Sequence, residues 1–315
     1  MKLNQLIAQY VAFRKSLGAK FEGNEMVLCT FSRVVGGGRH VGNVKPHEVA
    51  AFLNGRGPVT RYWHRKYIVL RGFFRYALSR GYLSASLLPT TVPKLPERYK
   101  PYIYSREELR RLLDSTALTQ TPRFQMEAHT FRTVLFLLYG AGLRDGEALS
   151  LNLEDVDLKE AVLTIRNTKF YKTRLVPLGG ELNHVMTEYA KQRKKAGHSQ
   201  SADAPFFVTR LGVRVPLYLL ARSFRRLCAQ AGVRREDGAR YQPRLHDLRH
   251  TAAVHRLTTW YREGKNVQRL LPLLSTYLGH VDLVSTQLYL TMTPELLHEA
   301  SKRFAKYVFG EVSYD

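Results

Sequence analysis

The sequence has little cysteine and few acidic residues for its size. Cys29 and Cys228 are the only cysteines among 315 residues, and they lie far apart in the chain. Such a pair gives no disulfide framework, so we expect a reducing, cytoplasmic compartment. No Cys/His quartet has zinc-finger spacing, and no glycine-rich loop has the pattern of a nucleotide-binding site. The sequence therefore implies neither a metal nor a nucleotide cofactor.

Long apolar runs are also missing. The nearest to one, Val134 to Leu143, contains glycines and is much shorter than the roughly 18 residues that a spanning helix needs. The N-terminal residues Met1-Lys2-Leu3-Asn4-Gln5 lack the apolar core of a secretory signal. With 44% hydrophobic residues, the chain is long enough for a sizeable core and two domains, and we expect no membrane partner.

Positive charge is abundant. The chain carries 49 Lys and Arg against 26 Asp and Glu, a formal net charge of +23. The first 100 residues hold 17 of these basic residues, four Glu and no Asp. A surface this cationic favours a polyanionic partner, and DNA, RNA or an anionic membrane would each fit the charge alone.

Prolines mark a boundary between two domains. The segment Pro89 to Pro101 holds four prolines and few large apolar residues, a composition typical of an extended linker. We predict a helical N-terminal domain at residues 1–92, a linker at 93–101 and a second domain at 102–315.

The N-terminal domain is predicted to contain helices near Leu3 to Leu17, Asn24 to Val35, after Lys45-Pro46, and Thr60 to Arg80. At 100° per residue, the last of these helices has an apolar face and a separate arginine face without any acidic residue. A solvated face normally mixes both signs of charge, so this one predicts contact with a nucleic-acid backbone. The arginines of this face are Arg61, Arg65, Arg71 and Arg75.

The second domain is predicted to be α+β. Ser105 and Glu108 have the spacing of a capping box at a helix start. Alternating β-rich runs at Ala161 to Arg166 and Lys172 to Pro177 predict a hairpin, Pro205 to Val208 predicts a third short strand, and residues beyond Leu217 predict helices. The fold class is thus mainly α, with one small antiparallel sheet or hairpin.

The stretch "LHDLRH", residues 245–250, raises the question of its chemistry. His246 and His250 are four apart, as in a zinc-protease helix, but Asp247 stands where that helix has glutamate. Arg249 would also place a permanent positive charge beside the metal. Paired guanidinium donors suit phosphate or carboxylate oxygens instead, so the stretch predicts an anion site.

Three further stretches accompany this motif in a fixed order. "GAGLRDGEALSL" contains Arg144 and Glu147, "NTKFYKTRLVPL" contains Lys169 at the predicted hairpin tip, and "LSTYLGHVDLVSTQLYL" contains His280 and Tyr289. Together with "LHDLRH", the order Arg, Lys, His-x-x-Arg, His, Tyr resembles the tyrosine recombinases, or phage integrase family, over about 145 residues.

The resemblance implies phosphodiester transesterification without metal or ATP. Tyr289 would be the nucleophile that forms a 3′-phosphotyrosine, and Arg144 and Arg249 would hold the charged phosphoryl group. His246 would accept the tyrosine proton, and His280 would donate a hydrogen bond to a phosphate oxygen.

The remaining positions have supporting or alternative roles. Lys169 would protonate the departing 5′-oxygen, with Lys172 as the alternative, because the glycines that usually flank the family's lysine are absent here. Glu147 would orient Arg144, and His250 would support the site from the core. Without the motif context, the default interpretation of Arg144 would be an ion pair with Glu147. The default for the histidines and Tyr289 would be packed positions in the core.

The resemblance also implies partners. We expect two domains that clamp double-stranded DNA at specific sites, and a synaptic tetramer joined by a tail helix containing Leu296, Leu297 and Phe304. Whether related recombinases act as partners is left open.

The rival functions are a type IB topoisomerase, which lacks synapsis, and a DNA-binding regulator with a vestigial site. A metal-dependent nuclease is disfavoured because no carboxylate cluster accompanies the histidines.

Overall fold

The computed structural model describes residues 1–96, 99–119, 125–166, 173–239, 241–280, 284–291 and 294–309. The chain divides into two compact units, Met1–Tyr99 and Lys100–Asp315, called here the N-terminal and C-terminal units. It is mainly helical with one small antiparallel sheet, which confirms the predicted fold class. In the part of the chain that the structure describes, no helix is both long and apolar enough to cross a membrane.

The N-terminal unit is a helical bundle around an apolar core that includes Leu28, Phe31 and Leu70. Lys66 is buried in it and donates hydrogen bonds from Nζ to the carbonyls of Phe52 at 2.5 Å and Leu53 at 2.6 Å. Those carbonyls lie in the last turn of a helix, where backbone acceptors lack intrahelical partners. The helices are α1 Leu3–Ser16, α2 Glu22–Val35, α3 Pro46–Asn54 and α4 Arg61–Ser79.

Helix α4 has the two faces that its sequence predicts. Trp63, Leu70 and Phe74 are buried, whereas Tyr67 and Leu78 are partly buried. The apolar face therefore packs into the bundle and leaves the opposite side to solvent. The arginines of that exposed face are Arg61, Arg65, Arg71 and Arg75.

The C-terminal unit begins with the predicted capping box. The Ser105 hydroxyl accepts a hydrogen bond from Glu108 N at 3.1 Å, and the Glu108 carboxylate accepts one from Ser105 N at 2.8 Å. Its helices are α5 Arg106–Asp114, α6 Ala128–Gly140, α7 Asp145–Ser150, α8 Gly180–Lys195, α9 Leu217–Gln230, α10 Asp247–Arg262, α11 Val267–Leu278, α12 Val284–Gln287 and α13 Pro294–Phe309.

The sheet of this unit has the order β1-β2-β3 and is antiparallel throughout. The predicted hairpin is confirmed, with Leu163 opposite Val176 and Ile165 opposite Arg174. The strands are β1 Val156–Asp157, β2 Val162–Ile165 and β3 Arg174–Pro177.

The prediction of a third strand at Pro205 to Val208 is wrong, because β1 occupies that place in the sheet. Pro205 and Val208 form only isolated bridges. Arg193 donates to the carbonyls of Pro205 and Phe206, and Tyr189 also donates to that of Phe206. Side chains thus satisfy backbone groups that a strand would have paired with a neighbour.

Helix α13 packs against α10 within the C-terminal unit. Leu296 is fully buried in that contact, and Arg262 pairs with Glu295 and Glu299 across it. Leu297 and Phe304, by contrast, are 48% and 66% exposed. One face of α13 therefore stabilises its own unit, and another face leaves large apolar side chains in solvent.

Candidate active site

Arg249 lies in the first turn of α10 and is only 2% exposed. Its Nη1 donates to the carbonyl of Gly142 and its Nη2 to that of Leu278, both at 2.6 Å. Burial, followed by the nearby charge of Arg144, lowers the pKa of Arg249 to about 10. The guanidinium thus stays cationic at neutral pH and fastens the loop after α6 to the end of α11.

Arg144 precedes α7, where the backbone leaves the turn made by Gly142. Its Nη1 donates to Glu147 Oε1 at 2.6 Å, and its Nη2 donates to the carbonyl of Gly279 at 2.9 Å. Glu147 also accepts from Arg144 N at 3.1 Å. Glu147 therefore holds the Arg144 guanidinium, and 35% of the arginine side chain stays exposed.

Tyr289 lies in a short 3-10 helix, Leu288–Thr291, and is 2% exposed. Its ring centroid is 5.5 Å from that of His250 and 5.9 Å from that of His280. Burial raises the pKa of Tyr289, while a hydrogen bond and charge from Arg249 and the charge of Arg144 oppose that rise. The phenol is therefore protonated at rest and faces two cations that would stabilise its phenolate.

His246 and His250 lie at the start of α10, and the His250 ring packs against the Tyr289 ring. The His246 Nδ1 is 3.5 Å from Oδ1 of Asp145, and the pKa of that carboxyl is lowered, chiefly by its hydrogen bond with His246. The pKa of His250 is lowered to about 3, chiefly by burial and then by the charges of His246 and Arg249. His250 is thus neutral, with its ring 5.1 Å from that of His246.

His280 follows the end of α11 directly. The left-handed backbone of Gly279, with φ +68°, ends the helix and turns the chain towards His280. His280 Nδ1 is 2.7 Å from the hydroxyl of Thr286 in α12. This contact fixes the plane of the His280 ring.

Arg174 of β3 belongs to the same cluster, although sequence reasoning assigned it no role beyond its spacing. Its Nη1 and Nη2 donate to the two carboxylate oxygens of Glu147 at 3.1 and 2.8 Å. Burial alone would raise the pKa of Glu147, but bonds and charge from Arg174, then from Arg144, lower it to about 2. The buried carboxylate therefore stays ionised between two guanidiniums.

The structure brings most of the predicted residues into one place. Lys169 and its alternative Lys172 lie outside the described residues. Asp145, Arg174 and Thr286 are contacts that sequence reasoning missed. For Arg174, a basic residue on the hairpin strand that follows the lysine was the available signal. The residues brought together are Arg144, Glu147, His246, Arg249, His250, His280 and Tyr289.

Asp247 has a structural contact at the position where a zinc-protease helix has its glutamate. Its carboxylate is fully buried and accepts a hydrogen bond from Arg244 N at 2.9 Å, so it caps the turn before α10. A carboxylate held there cannot act as a general base on a metal-bound water. Within the described ranges, no group of three or more His, Cys, Asp or Glu side chains could hold a metal ion.

Comparison with known proteins identifies relatives along the whole chain. The phage integrase family matches residues 105–295, the segment that contains the cluster. A Sinorhizobium fredii protein named as an integrase/recombinase, y4rB, is 36% identical over 310 residues, 96% of each chain. The tyrosine recombinase XerC of Oceanobacillus iheyensis is 30% identical over 269 residues, 83% of this chain and 81% of the relative.

A solved structure has the same fold. The Tn1549 transposon integrase in complex with transposon right end DNA matches with a TM-score of 0.69 at 16% identity. The match covers 98% of this chain and 100% of that chain. At this identity, the likeness shows a common fold alone.

Proposed function

The chain belongs to the phage integrase family of tyrosine recombinases and is a DNA recombinase, and we propose that Tyr289 is its nucleophile. The observation that carries this proposal is the packing of the buried Tyr289 ring against His250 and His280, next to the carbonyls that hold Arg249 and Arg144. A phenol beside two fixed guanidiniums can become a phenolate at the moment of attack, and the same cations can neutralise a phosphoryl group.

The proposed reaction conserves the number of phosphodiester bonds. Tyr289 Oη attacks the phosphorus while the bond to the 5′-oxygen breaks, which gives a 3′-phosphotyrosine and a free 5′-hydroxyl. His246 accepts the phenolic proton, and Lys169 donates a proton to the 5′-oxygen. The reverse steps, with the 5′-hydroxyl of a partner duplex, rejoin the strands without an external energy source.

Arg144, Arg249 and His280 would bind the non-bridging oxygens. Each arginine uses one or both terminal nitrogens on backbone carbonyls, so its guanidinium is held in place before DNA arrives. Such preorganised donors stabilise the pentacoordinate transition state more than the ground state. The Arg144 side chain is the more exposed of the two and would contact the phosphate first.

The N-terminal unit supports the proposal through its charge. Helix α4 exposes a row of arginines without an acidic residue, which suits binding along a phosphate backbone. We assign DNA contact to residues 1–92, linkage to residues 93–101 and catalysis to residues 102–315. The contacting side chains in this proposal are Arg61, Arg65, Arg71 and Arg75.

Assembly on DNA is the second part of the proposal. Phe304 is 66% exposed on α13, and an exposed aromatic side chain on a helix suits burial against a second copy. A synaptic tetramer on specific double-stranded sites would use this surface. The candidate tasks are integration, excision, transposition and resolution of replicon dimers, and the likeness to the Tn1549 transposon integrase is consistent with transposition. These matches favour neither a type IB topoisomerase nor a regulator.

A covalent-capture experiment tests the function and selects a DNA site at the same time. Wild type and Tyr289→Phe are incubated with a random duplex library without metal or ATP, and DNA that stays attached in SDS is sequenced. The enriched sequence is then rebuilt as a nicked duplex that traps the adduct. We expect a protease-sensitive adduct with wild type alone. Equal adducts from both proteins would assign another nucleophile, and tight binding without an adduct would favour a regulator.

A further inference from the structure

Three consecutive carbonyls at the C-terminal end of α11 each accept a hydrogen bond from a different arginine. The last carbonyls of a helix have no intrahelical partner and form the negative end of its dipole, so they attract guanidiniums. The pairs are Tyr277 O with Arg174 Nε at 3.2 Å, Leu278 O with Arg249 Nη2 at 2.6 Å, and Gly279 O with Arg144 Nη2 at 2.9 Å.

Arg174 differs from the other two arginines in how fully its donors are used. All three of its nitrogen groups are engaged, with Nε on Tyr277 and the two terminal nitrogens on Glu147. Its side chain is only 12% exposed. A Cβ on Gly279 would lie 2.7 Å from its Cζ, so the guanidinium fills the space that this glycine leaves. Each nitrogen of Arg174 is therefore held by a protein acceptor, and little of its guanidinium is exposed to DNA.

We propose that Arg174 is a positioning residue for DNA cleavage. It holds Glu147 against the end of α11, which leads into His280. Through Glu147 it also holds Arg144 in place. The inference rests on the proposed function of this site. Arg174 also lies on the strand of the hairpin that follows Lys169. It thus ties the base of that hairpin to the arginines that would bind the phosphate.

The electrostatics of Glu147 explain why this position needs a guanidinium. Glu147 faces Arg144 from the start of α7, Arg174 from β3 and Arg249 from α10. Burial raises the pKa of Glu147, and the bidentate pair with Arg174 is the strongest opposing influence. Without Arg174, the carboxylate would protonate at a higher pH and would hold Arg144 less firmly.

Single-turnover cleavage by Arg174→Gln tests the inference on the nicked duplex recovered by covalent capture. At saturating DNA and neutral pH we expect a rate about 100-fold below wild type, with unchanged DNA affinity, because Arg144 is misplaced rather than removed. The ratio of wild-type to variant rates should grow as the pH falls from about 8 to about 5, since Glu147 gains a proton only in the variant. Arg174→Lys should recover part of the rate.

Arg166→Gln is the matched control. Arg166 follows β2 in the same hairpin and pairs with Asp155. The Arg166→Gln variant therefore loses an arginine–carboxylate ion pair outside the cluster. It should cleave like wild type. A pH-independent rate ratio for Arg174→Gln, or equal losses of cleavage rate in both variants, would overturn this inference but not the proposed function. Absence of a Tyr289-dependent adduct with wild type would instead overturn the proposed function.

Discussion

Asp145 and His246 form a carboxylate–imidazole pair, with Oδ1 of Asp145 3.5 Å from Nδ1 of His246. A carboxylate at Nδ1 favours the proton on that nitrogen and leaves Nε2 as the acceptor. Asp145 therefore favours the His246 tautomer that the proposed general base needs.

Removal of this carboxylate should slow cleavage without weakening DNA binding. We expect Asp145→Asn to reduce the single-turnover rate about 10-fold, a part of the 10²–10⁴-fold that a general base contributes. Asp114→Asn, an exposed position at the end of α5, is the control and should leave the rate unchanged. If Asp145→Asn also cleaved at the wild-type rate, His246 would need no orienting partner.

The sequence predicted the catalytic cluster more completely than its supporting contacts. Arg144, His246, Arg249, His280 and Tyr289 were found because each stands at a fixed offset from a glycine, histidine or helix end. The structure adds that these positions meet, although their roles stay predictions.

Arg174 and Asp145 could not be identified in the same way. Arg174 contacts Tyr277, which is 103 residues away in the sequence, and Asp145 contacts a histidine on another helix. Local patterns carry no information on such pairs. The error at Pro205 to Val208 has a related cause, because the side chains of Tyr189 and Arg193, on the preceding helix α8, satisfy that backbone.

Neutral His250 predicts how stability depends on pH. Its folded pKa is about 3, below the ordinary 6.5, so the unfolded chain binds the proton more tightly. The free energy of unfolding should therefore fall as the pH drops from 6.5 towards 3, by about 2 kcal/mol between pH 8 and pH 5 from this residue. Burial lowers the pKa of His129 and His255 as well, so both contribute to the total slope.

Urea unfolding of His250→Gln at several pH values isolates this contribution. The variant should show a shallower loss of stability on acidification than wild type, whereas His47→Gln, at an exposed position, should follow wild type. Parallel curves for wild type and His250→Gln would mean that the His250 ring accepts a proton in the folded protein.

Gly279 should tolerate no side chain. Alanine would need the unfavourable φ of +68° and would place Cβ 2.7 Å from the Arg174 guanidinium. Gly264 has nearly the same φ, +67°, but no atom within 4 Å of such a Cβ. We expect Gly264→Ala to cost about 1 kcal/mol of unfolding free energy from backbone strain, and Gly279→Ala to cost a further 1–3 kcal/mol, roughly, from overpacking. Equal losses in urea unfolding would show that Arg174 moves aside without cost.

The arginine face of α4 should contribute to DNA affinity through counterion release. Arg71→Ala should weaken binding to all duplex sequences alike and reduce the slope of log K against log salt by about 1. Binding isotherms at several salt concentrations measure both quantities. Arg33→Ala, on the exposed side of α2, removes the same charge away from this face. An identical slope change in both variants would mean that net charge, rather than a phosphate contact, is responsible.

Phe304 should separate DNA binding from recombination. Its side chain is 66% exposed on α13, while Leu296 on the same helix is fully buried and fastens α13 to its own unit. We expect Phe304→Glu to keep site binding and Tyr289-dependent cleavage of a nicked duplex, but to abolish strand exchange between two duplexes, because a charge replaces an apolar contact between copies. Ser301→Glu adds the same charge to an exposed position of α13 and is the control. Strand exchange is followed on gels and assembly by sedimentation with DNA. Normal exchange by Phe304→Glu would exclude this surface from the synaptic interface, and loss of exchange by both variants would assign the effect to charge on α13 in general.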